Sequence, residues 1–275
     1  MYTLCTGNEN GVFYSSGADG MVVKWQLNEP DGELIIRFPH AIYCLYQFDD
    51  LLFCGGSKGE LTIFNLKTKS MVRQIQLDTN AVFDIVFWNN QIIVGNKIGQ
   101  LIVLNLNWEI VLQVKLSTNS IRKMIPTIDK LFVTGSEGMI WCLSKSFEIL
   151  TAIKGHDQSI FAMDYHTISE TLYTGGRDAT LKIWNDFELL NTINAHWFHI
   201  NFIAFNPSQT YYATCSLDKS IKIWNAENNA LLKVINIEKY EAHQSSVNKI
   251  LWIGINRFIS CSDDRMIMCF EIQQK

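Results

Sequence analysis

The sequence predicts an all-β fold, a seven-bladed β-propeller of four-stranded antiparallel blades, on three observations. A hairpin-like unit recurs seven times at a nearly constant spacing. Each unit breaks into runs of 4–8 apolar and β-branched residues bounded by Gly, Asn, Asp or Ser. No segment sustains a 3.6-residue apolar period for about 11 residues, so no helix is assigned.

The seven units stack on their central turns. The segments are Ser15–Trp25, Cys54–Phe64, Val94–Leu104, Thr134–Leu143, Thr174–Trp184, Thr214–Trp224 and Ser260–Phe270. Each is the end of one strand, a tight polar turn, and a second strand closing on a large apolar residue. The turn is occupied in turn by Asp19, Lys58, Ile98, Glu137, Asp178, Asp218 and Asp264, with intervals of 39, 40, 39, 41, 40 and 46 residues. A period of about 40–45 residues with four short strands per unit is the pattern of propeller blades.

The fifth unit shows the internal order of strands a to d. These are Ser159–His166, Thr171–Gly176, Thr180–Asn185 and Glu188–Ala195. Several inner runs, such as Leu101–Asn105, are apolar on both faces, as blades stacked face to face require. The first unit begins near Tyr2–Cys5, and the seventh ends with strand c at Met266–Ile272. The expected last blade therefore has three strands and an exposed edge, or borrows its fourth strand from a partner. Residues 1–275 are read as one domain.

Aligned in this way, units five and six resemble WD repeats in detail. Unit five carries Gly155-His156, Thr174, Asp178 and Trp184, and unit six Ala195-His196, Thr214, Asp218 and Trp224. The resemblance implies one buried hydrogen-bond network per unit, linking connector His, strand-b hydroxyl, turn Asp and strand-c Trp. Leaving one buried member of such a network unpaired costs about 1–3 kcal/mol. Unit seven keeps His243, Ser260 and Asp264, with Phe270 in place of Trp. Unit one keeps Ser15, Asp19 and Trp25 without a preceding His. Units two to four read as having lost the network, with Phe64, Leu104 and Leu143 at the Trp position and Cys54 at the hydroxyl position.

In WD repeats the exposed binding positions on the top face lie just after the connector His and just before the turn Asp. The resemblance places these at Asp157, Ser159 and Arg177, at Trp197, His199 and Leu217, and at Gln244, Ser246 and Asp263. Trp197-Phe198-His199 beside Leu217 is the most informative group, because aromatic–aliphatic anchors dominate interfaces. The connector from Trp224 to His243 is longer than that from Trp184 to His196, and the surplus around Ile237–Glu241, with Tyr240, is a second contact element. Trp108 and His166 are weaker candidates in loops at the opposite side.

Motifs for chemistry are explained by the repeat. Gly55-Gly56-Ser57-Lys58-Gly59 has the spacing of a nucleophile elbow, which needs a following helix, yet the next run is the strand-like Leu61–Asn65. His156, His196 and His243 each have their own Asp and are not read as metal ligands; no cofactor is expected. The net charge of −4 gives no footprint for nucleic acid or an anionic membrane surface, and no run approaches the ~18 apolar residues of a membrane span. The seven cysteines are scattered, odd in number and without a C-x-x-C pair, which fits a reducing compartment, the cytoplasm. The function expected is a non-enzymatic scaffold that binds a protein or peptide on its top face. The alternatives are a reader of a modified peptide, with aromatics converging at the channel mouth, and a propeller-fold hydrolase or lyase.

Overall fold

A computed structural model describes residues 1–273 as seven antiparallel meander sheets without helices, a seven-bladed β-propeller. Blade one comprises β1 (Thr3–Thr6), β2 (Val12–Ser16), β3 (Met21–Gln26) and β4 (Glu33–Arg37). Blade two comprises β5 (Ile42–Phe48), β6 (Leu51–Gly56), β7 (Glu60–Asn65) and β8 (Ser70–Gln76). Blade three comprises β9 (Val82–Trp88), β10 (Gln91–Asn96), β11 (Gln100–Leu104) and β12 (Ile110–Lys115). Blade four comprises β13 (Ile121–Pro126), β14 (Leu131–Gly135), β15 (Met139–Leu143) and β16 (Ile149–Lys154). Blade five comprises β17 (Ile160–His166), β18 (Thr171–Gly176), β19 (Thr180–Asn185) and β20 (Glu188–Asn194). Blade six comprises β21 (Ile200–Phe205), β22 (Tyr211–Ser216), β23 (Ile221–Asn225) and β24 (Leu231–Ile235). Blade seven has three strands among the described residues, β25 (Val247–Trp252), β26 (Arg257–Ser262) and β27 (Ile267–Glu271). No helix is long and apolar enough to cross a membrane.

Two compact units divide the chain. One holds Tyr2–Ser136 with Ile140–Ala152, and the other holds Met1, Glu137–Met139 and the residues from Ile153 onward. Blades one to three and most of blade four thus belong to the first unit, and blades five to seven to the second. In the first, a core runs from Phe53, Leu61 and Ile63 of blade two to Ile92, Val94 and Ile102 of blade three. In the second, Tyr173 and Ile183 pack on Ile203, Phe205 and Tyr212, and Ile221 and Ile223 pack on Val247, Ile250 and Phe258.

Burial follows position within the blade. Strand b is buried almost throughout, as in β2, β14 and β18, because apolar neighbours cover both its faces. Strand d is exposed along most of its length, as in β8 and β20.

The b–c turns share one backbone device. The residue after each turn position lies in the left-handed region: Gly20, Gly59, Gly99 and Gly138, with φ between 69° and 81°, and Ala179, Lys219 and Arg265 at 63°, 72° and 69°. A non-glycine residue is strained there by roughly 1 kcal/mol. Glycine meets the demand in blades one to four. The non-glycine residues occur in the three blades whose turn Asp is clamped by a buried histidine.

Blades are also stitched to their neighbours by polar side chains. The Asp84 carboxylate accepts from the Met124 backbone N–H at 2.8 Å and pairs with Lys123 at 3.0 Å. Asp164 accepts from the Phe205 N–H at 2.8 Å, and the Trp88 and Trp252 indoles donate to the carbonyls of Thr127 and Ala204. Each pair is about one repeat apart in sequence.

Candidate functional site

The polar networks come first, because they fix the loops that carry the exposed side chains. In blade five His156 Nδ1–H donates to Asp178 at 2.9 Å, and His156 Nε2 accepts from the Thr174 hydroxyl at 2.9 Å. Thr174 Oγ1 in turn accepts from the Trp184 indole at 2.9 Å, and Asp178 also accepts from the Thr180 hydroxyl at 2.8 Å. Blade six repeats this with His196, Asp218, Thr214, Trp224 and Ser220, at 2.6–2.9 Å. Blade seven has His243 between Asp264 and Ser260, at 2.9 and 2.8 Å, with Phe270 where the indole would stand. The hydroxyl's need for both a donor and an acceptor assigns the neutral tautomer with hydrogen on Nδ1.

Burial and pairing set the charges. Burial works to raise the Asp178 carboxyl, but the hydrogen bond from His156, with help from Thr180, holds it at about 2. Against the same burial, the His196 hydrogen bond places Asp218 below the usual carboxylate range, and the Met266 and Gln244 N–H groups, with His243, do so for Asp264. Burial pushes His196 and His243 down against the opposing pull of Asp218 and Asp264, so both favour the neutral ring.

Blades two and three lack this network but not buried polar clusters. In blade two the Glu60 carboxylate, at the position of Thr180, is buried against the His40 ring. In blade three Asp78 stands where blade five has His156. It accepts from Asn96 Nδ2 at 2.6 Å, while Asn96 Oδ1 accepts from the N–H groups of Ile98 and Gln100. The His–hydroxyl–Asp–Trp network expected to be missing from these blades is absent from both, and an acid–amide cluster in blade three and an acid–histidine pair in blade two occupy the same region.

The networks position the nominated binding residues. The Asp218 oxygen that accepts from His196 also accepts from the Trp197 N–H at 3.0 Å, and the Asp264 oxygen that accepts from His243 also accepts from the Gln244 N–H at 2.9 Å. Backbone bonds join each b–c turn to the start of its strand a: Arg177 to the Ser159 carbonyl, Leu217 to the His199 carbonyl, and Asp263 to the Ser246 carbonyl, at 2.8–3.2 Å. In blade six this leaves Trp197 87%, Phe198 57% and Leu217 39% exposed, side by side with half-buried His199. The His199 ring packs on Phe161 at 5.2 Å, and burial, then the charge of Arg177, lowers its pKa.

Asp157, Arg177 and Gln244 are exposed, and Ser159 is half-buried. Asp263 is exposed but already accepts from Asn248 at 2.6 Å. Ser246 is not exposed: it is buried and bonds Asn201 and Asn248. Tyr240 stands apart in the loop after β24, with Lys233 over its ring at 4.9 Å.

The weaker candidates are less accessible than Trp197. His166 ends β17, buried, accepting from Ser169 Oγ at 2.5 Å and donating to the Gln209 carbonyl at 2.9 Å, with Phe205 against its ring at 5.0 Å. Trp108 packs partly buried against the core of blades two and three. Both stabilise blade ends. The Gly55–Gly59 segment is a strand–turn–strand between β6 and β7, so Ser57 sits on no elbow. Among the described residues no group of three or more His, Cys, Asp or Glu is placed to hold a metal ion. The seven cysteines form no disulfide; six are buried and Cys269 is exposed.

Sequence reasoning missed a second set of side chains. In six blades the a–b pairing slips by one residue near the start of strand a, a β-bulge that re-aims one side chain. The bulged residues are Tyr43, Phe83, Arg122, Phe161, Asn201 and Asn248. Within the first unit they form a row with Tyr2: Tyr2–Tyr43 at 5.5 Å, Tyr43–Phe83 at 5.4 Å, and the Arg122 guanidinium 4.4 Å above Phe83. Arg122 Nε donates to Ser136 Oγ at 2.7 Å, which holds it over the ring. The signal was available, since these residues occupy one column of the repeat alignment.

The comparisons agree with this geometry. The WD40 family (WD domain, G-beta repeat) matches residues 147–185, 187–225 and 235–271, which span most of blades five, six and seven. A chain in the crystal structure of a mitotic checkpoint complex superposes with a TM-score of 0.88, covering 100% of this chain and 87% of that one, at 13% identity. At that identity the likeness is one of fold. No curated protein matches the chain in sequence.

Proposed function

We propose that this chain, a WD40-repeat β-propeller, is a non-enzymatic scaffold that docks a protein or peptide through the connector and turn surface of blades five to seven. The observation that carries the proposal is Trp197. A tryptophan 87% exposed, with its backbone pinned by a buried carboxylate and Leu217 and Phe198 beside it, is an anchor presented at low entropic cost. Arg177, Asp157 and Gln244 supply a polar rim. The net charge of −4 argues against nucleic acid as the partner, and six buried thiols without a disulfide fit a reducing compartment such as the cytoplasm.

The test is affinity capture with the native chain and with Trp197→Ala, each checked by thermal melting. Loss of a partner at unchanged stability, within about 0.5 kcal/mol, is expected for a surface anchor. A variant that unfolds, or that keeps every partner, would sink the proposal.

A second reading, recognition of a modified peptide, draws support from the Tyr2–Tyr43–Phe83 row, since aromatic faces attract methylated ammonium groups. Titration with trimethyl-lysine and unmodified lysine peptides decides it: equal affinity for both would remove that reading.

A further inference from the structure

Blade seven differs from the other six at one place. In blades one, two, three, five and six the first core residue of strand c is fully covered and faces a β-branched aliphatic of strand d. The pairs are Val22 with Ile36, Leu61 with Ile75, Leu101 with Val114, Leu181 with Ile193, and Ile221 with Ile235. Two residues on, Ile63, Val103, Ile183 and Ile223 are also buried. The counterparts in β27 are Ile267, half-buried, and Cys269, exposed. The edge of β27 is the one strand-c edge among the described residues without a neighbour.

The other blades define what fits there. Strand d in blades two, three, five and six places an apolar residue opposite the last large residue of strand c: Met71, Ile110, Leu189 and Leu231. A register shift follows, so a second apolar residue (Val72, Val111, Leu190 or Leu232) is skipped in the pairing. Two variable residues come next, then the Ile or Val. The residue after it is a hydrogen-bond donor: Gln76, Lys115, Lys154, Asn194 and Asn236 in blades two to six. In blades two to four that donor reaches the carbonyl of the b–c turn, at Lys58, Ile98 and Glu137. In blade seven the corresponding turn carries Asp263 and Asp264, so a lysine or arginine is the complementary choice there.

We propose that β27 is a docking edge for an extended segment of a partner protein, added antiparallel as a fourth strand. The segment has the pattern apolar–apolar–x–x–Ile/Val–Lys/Arg, with its fifth residue opposite Ile267 and its first opposite Phe270. Main-chain hydrogen bonds supply binding, and the Ile267 and Cys269 positions select the side chains. A second copy of this chain is a poor occupant. A twofold pairing of β27 centred on Cys269 would set the Glu271 carboxylate opposite Ile267, where other blades have Ile or Val.

The probe is a fluorescein-labelled peptide Glu-Leu-Leu-Asn-Thr-Ile-Lys, which is the β20 sequence with a terminal lysine, titrated into the 275-residue chain by fluorescence anisotropy. Saturable binding is expected, with amide hydrogen exchange slowed in Ile267–Glu271. The same peptide with Asp for its Ile should bind at least about tenfold more weakly. Trp197→Ala should bind the peptide unchanged, because that surface is separate; loss of binding there would place the peptide elsewhere and overturn the proposal. So would absence of saturation, or exchange protection outside β27. Concentration-dependent protection of β27 without peptide, with a dimer mass by light scattering, would give the edge to a second copy and equally refute the partner strand.

Discussion

Replacing Asp178 with Ala removes the acceptor for three donors at once: the His156 ring at 2.9 Å, the Thr180 hydroxyl at 2.8 Å and the Thr180 N–H at 3.1 Å. The His156 side chain has no solvent exposure, and without the carboxylate its Nδ1–H is left with the Thr180 hydroxyl at a long 3.3 Å. A poorly paired buried donor costs up to about 1–3 kcal/mol, and the hydrogen bonds to a charged acceptor that are lost add to it. Ala179 meanwhile keeps its left-handed φ of 63° without the carboxylate that braces the turn. The combined loss is about 2–4 kcal/mol. Blade one supplies an internal control, because Asp19 is exposed and accepts from the Met21 N–H at 3.1 Å with no histidine behind it. Asp19→Ala should cost no more than about 0.5–1 kcal/mol. Urea unfolding followed by tryptophan fluorescence reads both as midpoint shifts at constant m-value. Equal shifts for the two variants would refute the argument that burial of the histidine, and not the turn aspartate itself, carries the energy.

Three further outcomes follow from the same structure. Stability should rise as pH is raised from about 2 to 6.5. Asp178, Asp218 and Asp264 bind protons less readily when folded, so their stabilisation is present above about pH 4 and lost as pH falls through the folded values. His196 and His243 are likewise lowered and add the same sign of dependence just below pH 6.5. For Asp178 the contribution is at most about 2 kcal/mol, less the screening by water at its outer oxygen; a flat urea midpoint between pH 3 and 7 would contradict the assignment. Gly99→Ala, forced to adopt φ 78°, should lose at least about 1 kcal/mol, whereas Lys219→Gly, already at φ 72°, should be neutral or gain a few tenths; calorimetry distinguishes them. With a thiol reagent under native conditions, Cys269 alone should react quickly. Cys261, whose thiol burial pushes up to about 12, and the other five should react only on unfolding.

The sequence by itself determined the repeat. The spacing of Asp19 through Asp264 set seven units, the apolar runs between turns set four strands in six of them, and the His–Thr–Asp–Trp columns of units five and six marked the polar networks. Local chemistry carries that information, because a strand must alternate with turn residues and a buried carboxylate must have a nearby donor. Three things were decided only by tertiary structure. Trp197 and His166 are both aromatic residues near blade ends, yet one stands 87% exposed and the other is buried against Phe205, a difference set by the neighbouring blade and invisible within either unit. Blade three builds its network from Asp78 and Asn96, types that match no column, because only the shape of the pocket between connector and turn decides which polar groups can satisfy one another. The Tyr2–Tyr43–Phe83–Arg122 row exists because a β-bulge turns one side chain per blade, and the stacking of blades then brings residues one repeat apart into contact. Periodicity along the chain fixes what each blade is, and packing between blades fixes which of its side chains meet.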